Sequence, residues 1–352
     1  MPPKPKADNA AYKQLKKDID QGSIGRLYVF CGEEAYLRDF YLGRIKKKLL
    51  PPGMEEFNLH TLSGKEFELK KLEQMVDCLP MMSERTLIVV SDYDIYKGDK
   101  EGLAALFADL PEYVCLVFVY DLIEYKADAR TKLAGALKAH GSVVAFNRQE
   151  QGDLVDWVKR RFKADGHDID SEEARYLIFL CGDLMNGLIS EIGKIGAYAR
   201  HRVITREDID AVATPQLDAV VFQLTDAITG GNFDKAASVM GDLLHMGEPP
   251  IKILSVLGRQ LRQLYSARLA IEKGKGAPYV AGLWGLKPYP ADKLMTSARR
   301  FSLSWCRRAV VRCGQTDLAM KSTGQDAQEL LTGLLLELAA PSRPAGRQGA
   351  RG

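Results

Sequence analysis

The chain has 352 residues, 46% of them hydrophobic and 27% charged, and a formal net charge of +3 at pH 7. That is a globular balance in a chain too long for one ordinary core, so two or three domains are expected. So small a charge does not imply a general polyanion-coating role, although a local basic surface stays open. No run reaches the ~18 apolar residues of a membrane span. The first ten residues, MPPKPKADNA, have no apolar signal region, so a cytoplasmic location without membrane contact is expected.

The first block, residues 1–147, alternates strand and helix patterns. Leu27–Phe30, Thr86–Val90, Val114–Tyr120 and Val143–Phe146 are short apolar runs rich in β-branched and aromatic residues, as buried strands are. Between them, Tyr36, Leu37, Phe40, Tyr41, Ile45 and Leu49 share a helix side that stops at Pro51-Pro52-Gly53. Leu72, Met75, Val76 and Leu79 keep helical spacing, and Leu133 and Leu137 mark another helix. Strands separated by helices predict a parallel sheet covered on its faces.

Residues 27–39, LYVFCGEEAYLRD, have the strand, glycine turn and helix start of a phosphate-binding loop. The working motif is G-x-x-x-x-G-K-[ST]. Counted from Gly32, its second glycine falls on Leu37, its lysine on Arg38 and its hydroxyl on Asp39. Glu33 and Glu34 suit a helix N-terminus but repel a triphosphate. Each like-charge pair at ~4 Å costs about 1 kcal/mol in water and ~4 near a protein surface. The loop is therefore expected to lack nucleotide chemistry. The acidic strand end VVSDYD (Val89–Asp94) resembles a metal-coordinating pair only faintly and reads as surface carboxylates.

The second block, 148–212, is helical. Asp170 with Glu173, and Thr205 with Asp208, are capping-box-like helix starts, and Leu188, Ile192 and Ile195 line one face. The third block, 213–340, carries helical periodicity at Val220–Ala227, Phe233–Leu244, Ile251–Ile271, Leu303–Met320 and Ala327–Leu338. Pro249 and Pro250 fit the first turn of its long central helix, and Gly230-Gly231, Gly247 and Gly274 punctuate helix ends. The Gly-, Pro- and Arg-rich tail, 341–352, is expected to be disordered. The six cysteines form no C-x-x-C pair and read as buried thiols in a reducing compartment. The five histidines show no ligand spacing, so neither a metal nor a cofactor is expected.

Four stretches narrow the reading: LYVFCGEEAYL, CLPMMSERTLIVV, FQLTDAITGGNFDKAASVMGDLLHMGEPPIKILSVLGRQLRQL and KSTGQDAQELLTGLLLEL. In this order and spacing they resemble the delta subunits of bacterial DNA polymerase III clamp loaders, over about residues 25–340. The resemblance implies α/β plus all-α architecture: an AAA+ Rossmann-like parallel-sheet domain, a small helical lid and a C-terminal helical collar. It also implies a subunit that binds no nucleotide and acts as a wrench on the ring-shaped sliding clamp. Loader ATPases commonly carry a nucleotide-sensing arginine where GDLMNGL places Met185.

In that family a hydrophobic element after a first-domain helix grips the clamp, which points to CLPMMSER, residues 78–85. The resemblance implies Leu79, Pro80, Met81 and Met82 as the clamp contacts, although Leu79 also continues the stripe of Leu72, Met75 and Val76 and reads as mostly core. Pro80 ends the helix. Two adjacent apolar residues at a turn, Met81 and Met82, cannot easily both face the core, and at least one should project. Methionine suits contact because its side chain moulds to a partner.

Arg259, Arg262, Arg308 and Arg312 lie among the basic residues of the third block, the last two sharing a helix face. They read as solvated or intersubunit residues, with phosphate contact to DNA as the functional alternative. Through the collar, the resemblance implies packing against delta-prime and tau/gamma subunits, around primer-template DNA. Two other classes stay open: an active AAA+ ATPase with a degenerate loop, and a helical DNA-binding protein. Measurable nucleotide binding would mark the first, and a steep salt dependence the second.

Overall fold

The computed structural model describes residues 10–229, 232–245 and 247–339. The Gly230-Gly231 pair and the 341–352 tail lie outside the described residues. The described chain forms two compact units, 10–149 with 184–186, and 150–183 with 187–339.

The first unit runs α1 (Ala10–Gln21), β1 (Leu27–Cys31), α2 (Ala35–Leu49), α3 (Glu55–Asn58), β2 (Leu59–Ser63), α4 (Leu69–Asp77), β3 (Thr86–Ser91), α5 (Lys100–Ala108), β4 (Val114–Val119), α6 (Lys132–His140) and β5 (Ser142–Ala145). The strands form one parallel sheet in the order β2-β3-β4-β1-β5, with Leu27 opposite Leu116 and Val29 opposite Val143. Every residue of β1 and β4 is buried, as expected of strands with both faces covered. The connection out of β1 leads to one side of the sheet and the connection out of β4 to the other. Their carboxyl ends therefore flank the switch point where such sheets bind ligands.

Four of the five strands fall where their apolar runs predict. The edge strand β2, LHTLS, escapes that reading because only Leu62 is buried. Helix α4 ends at Asp77, so Leu79 lies beyond it and leaves the apolar stripe. The physical cause is Pro80, which disfavours helical geometry in the residue before it; Cys78 already has ψ 118°.

The second unit contains α7 (Gln151–Ala164), β6 (Asp168–Ile169), α8 (Ser171–Cys181), most of α9 (Met185–Tyr198), β7 (Val203–Ile204) and α10 (Arg206–Val212). The two short strands pair in parallel. At the start of α10, Thr205 and Asp208 form a complete capping box. At α8, Asp170 accepts the Glu172 and Glu173 N–H groups without reciprocal bonding from Glu173. The remaining helices are α11 (Leu217–Thr229), α12 (Phe233–His245), α13 (Pro250–Glu272), α14 (Ala277–Trp284), α15 (Pro288–Ala298), α16 (Leu303–Ser322) and α17 (Ala327–Ala339). The 23-residue α13 is the hub, packing against α11, α14, α15, α16 and α17. Helices α14 and α15 are absent from the periodicity reading. Their prolines, which suggest loop, occupy first turns where the missing N–H costs nothing.

Five cysteines are buried and Cys78 is exposed, which corrects the all-buried expectation. Burial pushes the Cys115 and Cys181 thiols up to about 12, and Cys31, Cys306 and Cys313 up to about 11. Raised values leave little thiolate at pH 8. A short iodoacetamide pulse at pH 8, read by mass spectrometry, should label Cys78 alone, and all six cysteines after unfolding. Gly32 has φ +110°, and a Cβ there would lie 2.3 Å from the Phe146 carbonyl oxygen; Gly166 has φ +86° but open space around it. Gly32→Ala should cost about 3 kcal/mol or more in urea unfolding. Gly166→Ala should cost only about 1–2, from the backbone alone.

Candidate partner-binding tip and a closed phosphate loop

Only three residues separate β1 from α2, so the turn is shorter than a phosphate-wrapping loop. The Glu34 N–H donates to the Phe146 carbonyl at 2.9 Å, which ties the turn to the segment just after β5. Arg38, at the lysine position of the motif, is 3% exposed and directed across the switch point. Its Nη1 donates to the Tyr120 carbonyl at 3.1 Å and its Nη2 pairs with Asp121. Its Nε lies 3.5 Å from the Asp39 carboxylate. The cation is thus engaged by the end of β4 and by its own helix.

The other residues of this edge are similarly committed. The Glu33 carboxylate pairs with Arg148 at 2.6 Å. Glu34 is buried, and its carboxylate accepts the N–H of Met185, itself buried, at 3.3 Å. Asp92 has φ +57° and its carboxylate accepts the N–H groups of Asp121 and Leu122, both at 2.8 Å. Asp94 accepts the Tyr96 N–H at 3.1 Å and lies 3.5 Å from Lys97. Among the described residues, no group of three His, Cys, Asp or Glu side chains is placed to hold a metal ion.

At the opposite, amino edge of the sheet, the segment from Cys78 to Arg85 leads into β3 without regular structure. Leu79 is 74% exposed, Met81 55% and Met82 82%. Both methionines project, and so does Leu79, contrary to its expected place in the core. Pro80 is half-buried. Met82 has φ +50°, a left-handed conformation that costs an L-residue about 1–2 kcal/mol.

Side chains hold this segment at three points. Asn58 is fully buried, and its amide brackets Met81: Oδ1 accepts the Met81 N–H at 2.8 Å and Nδ2 donates to the Met81 carbonyl at 2.9 Å. The Ser83 hydroxyl donates to the Leu49 carbonyl at 3.3 Å. Arg85 donates to the carbonyls of Ile24, Gly25 and Val114 at 2.6–2.9 Å. The sequence reading missed Asn58 and Arg85. Their partners are backbone groups tens of residues away, so no spacing could have flagged them.

The four basic candidates are all exposed, Arg259 and Arg262 on α13 and Arg308 and Arg312 on α16. Arg259 forms an ion pair with Asp218, and Arg312 with Glu337 on α17. The Arg312 guanidinium holds the Glu337 carboxyl below the usual carboxylate range.

Residues 28–147 match the family model of the DNA polymerase III delta subunit, and residues 218–338 match that of the same subunit's C-terminal domain. The DNA polymerase III subunit delta of Bacillus subtilis is 26% identical over 330 residues, covering 92% of this chain and 95% of that protein. A probable subunit delta of Aquifex aeolicus is 24% identical over 261 residues, covering 71% of this chain and 73% of its own. The solved Bacillus subtilis DNA clamp loader delta protein shares the fold, with a TM-score of 0.55 and 24% identity, over 93% of this chain and 99% of that one. With both halves matched by models of one subunit, the chain belongs to the DNA polymerase III delta subunit family of clamp-loader proteins in DNA replication.

Proposed function

We propose that this chain binds the sliding clamp (the beta subunit ring) and holds it open for loading onto primed DNA, without hydrolysing ATP itself. The observation that carries this reading is the tip. Adjacent methionines stand in solvent on a backbone that the protein fixes at several points, an arrangement suited to a partner's apolar pocket. Leu79, Pro80, Met81 and Met82 are the contact residues. A few such anchors supply most of an interface, at ~2 kcal/mol or more each. To favour opening, the tip must bind the open ring more tightly than the closed one, because equal affinity shifts nothing.

The reading as a non-enzymatic subunit is supported by the other edge of the sheet. Arg38 meets Tyr120 and Asp121 where a phosphate-binding lysine would meet nucleotide, and acidic Glu33 and Glu34 occupy the turn. Family membership is the basis for the remaining working parts: residues 1–147 carry the tip, 148–212 serve as lid, and 213–340 join delta-prime and tau/gamma subunits in a collar. Arg259, Arg262, Arg308 and Arg312 are the candidates to meet primer-template DNA or a neighbouring subunit, and Arg259 and Arg312 would do so from within ion pairs to Asp218 and Glu337.

Binding of the purified chain to immobilised sliding clamp, measured with and without ATP, tests this function. The wild type should bind in both conditions. A Met81→Ala/Met82→Ala variant should bind at least about 100-fold more weakly. Equilibrium dialysis should detect no ATP on the chain. Bound clamp should also slow alkylation of Cys78, which lies three residues from Met81. Clamp binding that survives the double substitution would move the site, and ATP binding without clamp binding would favour an ATPase instead.

A further inference from the structure

We propose that Asn58 is the positioning residue of the clamp-binding tip, presenting Met81 and Met82 in their binding-ready arrangement. This rests on the assignment of the tip as the clamp contact. The tip has no ladder of its own, and Asn58 supplies one rung. Its amide bonds both the N–H and the C=O of Met81, as a neighbouring strand would. The Met81 N–H can only donate and the Met81 carbonyl only accept, so these partners orient the amide.

The second Nδ2 hydrogen reaches the Met54 carbonyl at 3.1 Å, closing α3 on itself. The next residue, Leu59, begins β2 and pairs with Leu87 of β3. Asn58 therefore joins the irregular tip to the sheet through a fully buried side chain. Met82, one residue on, adopts φ +50°, which points to a backbone imposed by its surroundings. A segment fixed before binding loses less conformational freedom when the partner arrives, and the difference appears as affinity. Asn58 itself is buried and acts through the methionines.

The test uses the full chain and the sliding clamp. Asn58→Ala should weaken clamp binding about tenfold, with thermal unfolding still cooperative and hydrogen exchange faster at the Met81 amide. In a Met82→Ala background the same change should cost less than threefold, because its effect acts through the anchors. Asn58→Asp supplies a readout that general loss of structure would not give. As a carboxylate it repels the Met81 carbonyl; as a protonated acid it donates to that carbonyl and accepts the Met81 N–H. Its clamp affinity relative to wild type at the same pH should recover as pH falls from 8 to 5.

Wild-type affinity in Asn58→Ala, or an undiminished loss in the Met82→Ala background, would overturn the proposal while leaving the tip assignment standing. Should Asn58→Ala not fold, the pH profile of Asn58→Asp decides, and a flat profile counts against the proposal. Absence of clamp binding by the wild type would instead sink the assignment on which it rests.

Discussion

A guanidinium buried at the carboxyl edge of the sheet sets the character of this protein. Arg38 spans the crevice between β1 and β4, the place where parallel sheets of this topology take their ligands. A buried charge is costly unless paired and hydrogen-bonded. Here Asp121 and the Tyr120 carbonyl hydrogen-bond its two terminal nitrogens from within the chain, and the Asp39 carboxylate lies 3.5 Å from Nε, which is left without a hydrogen bond. Gly32 allows the turn to press against Phe146, and Asp92 draws in the backbone after β4. The edge is closed by the protein's own groups, so its architecture persists without a phosphate to organise it.

That closure gives meaning to the opposite edge. Strand β3 is six residues long, roughly 20 Å, with the closed edge at one end and the tip at the other. At the tip the usual economy is reversed: apolar side chains that could have been buried face solvent, while buried Asn58 and half-buried Arg85 hold them there. Asn58 and Arg85 spend their hydrogen bonds on backbone groups, which suits a surface whose shape matters more than its chemistry. The clamp-gripping role we propose draws support from this arrangement together with family membership, whereas the proposed collar partners draw on membership alone.

Much of the fold was legible because the central strands announce themselves. LYVFC, TLIVV and VCLVFV are continuous apolar runs, as strands covered on both faces must be. LHTLS was illegible for the converse reason: it lies at the sheet edge and buries one side chain of five. Leu79 misled because its helical spacing is correct and only the following proline removes it from the helix. That at least one of Met81 and Met82 projects could be read, since adjacency at a turn is visible in sequence. The bracket from Asn58 to Met81 and the bridge from Arg38 to Asp121 could not. Each joins residues with no periodic relation, 23 and 83 positions apart.

The most direct test of the central claim is a methyl NMR titration of the full chain with sliding clamp, using protein labelled at the methionine ε-methyl groups. The Met81 and Met82 signals, assigned by substitution, should shift or broaden first and to the same extent with or without ATP. Perturbation of other methionine methyls while these two remain unchanged, or a response that requires ATP bound to this chain, would contradict it.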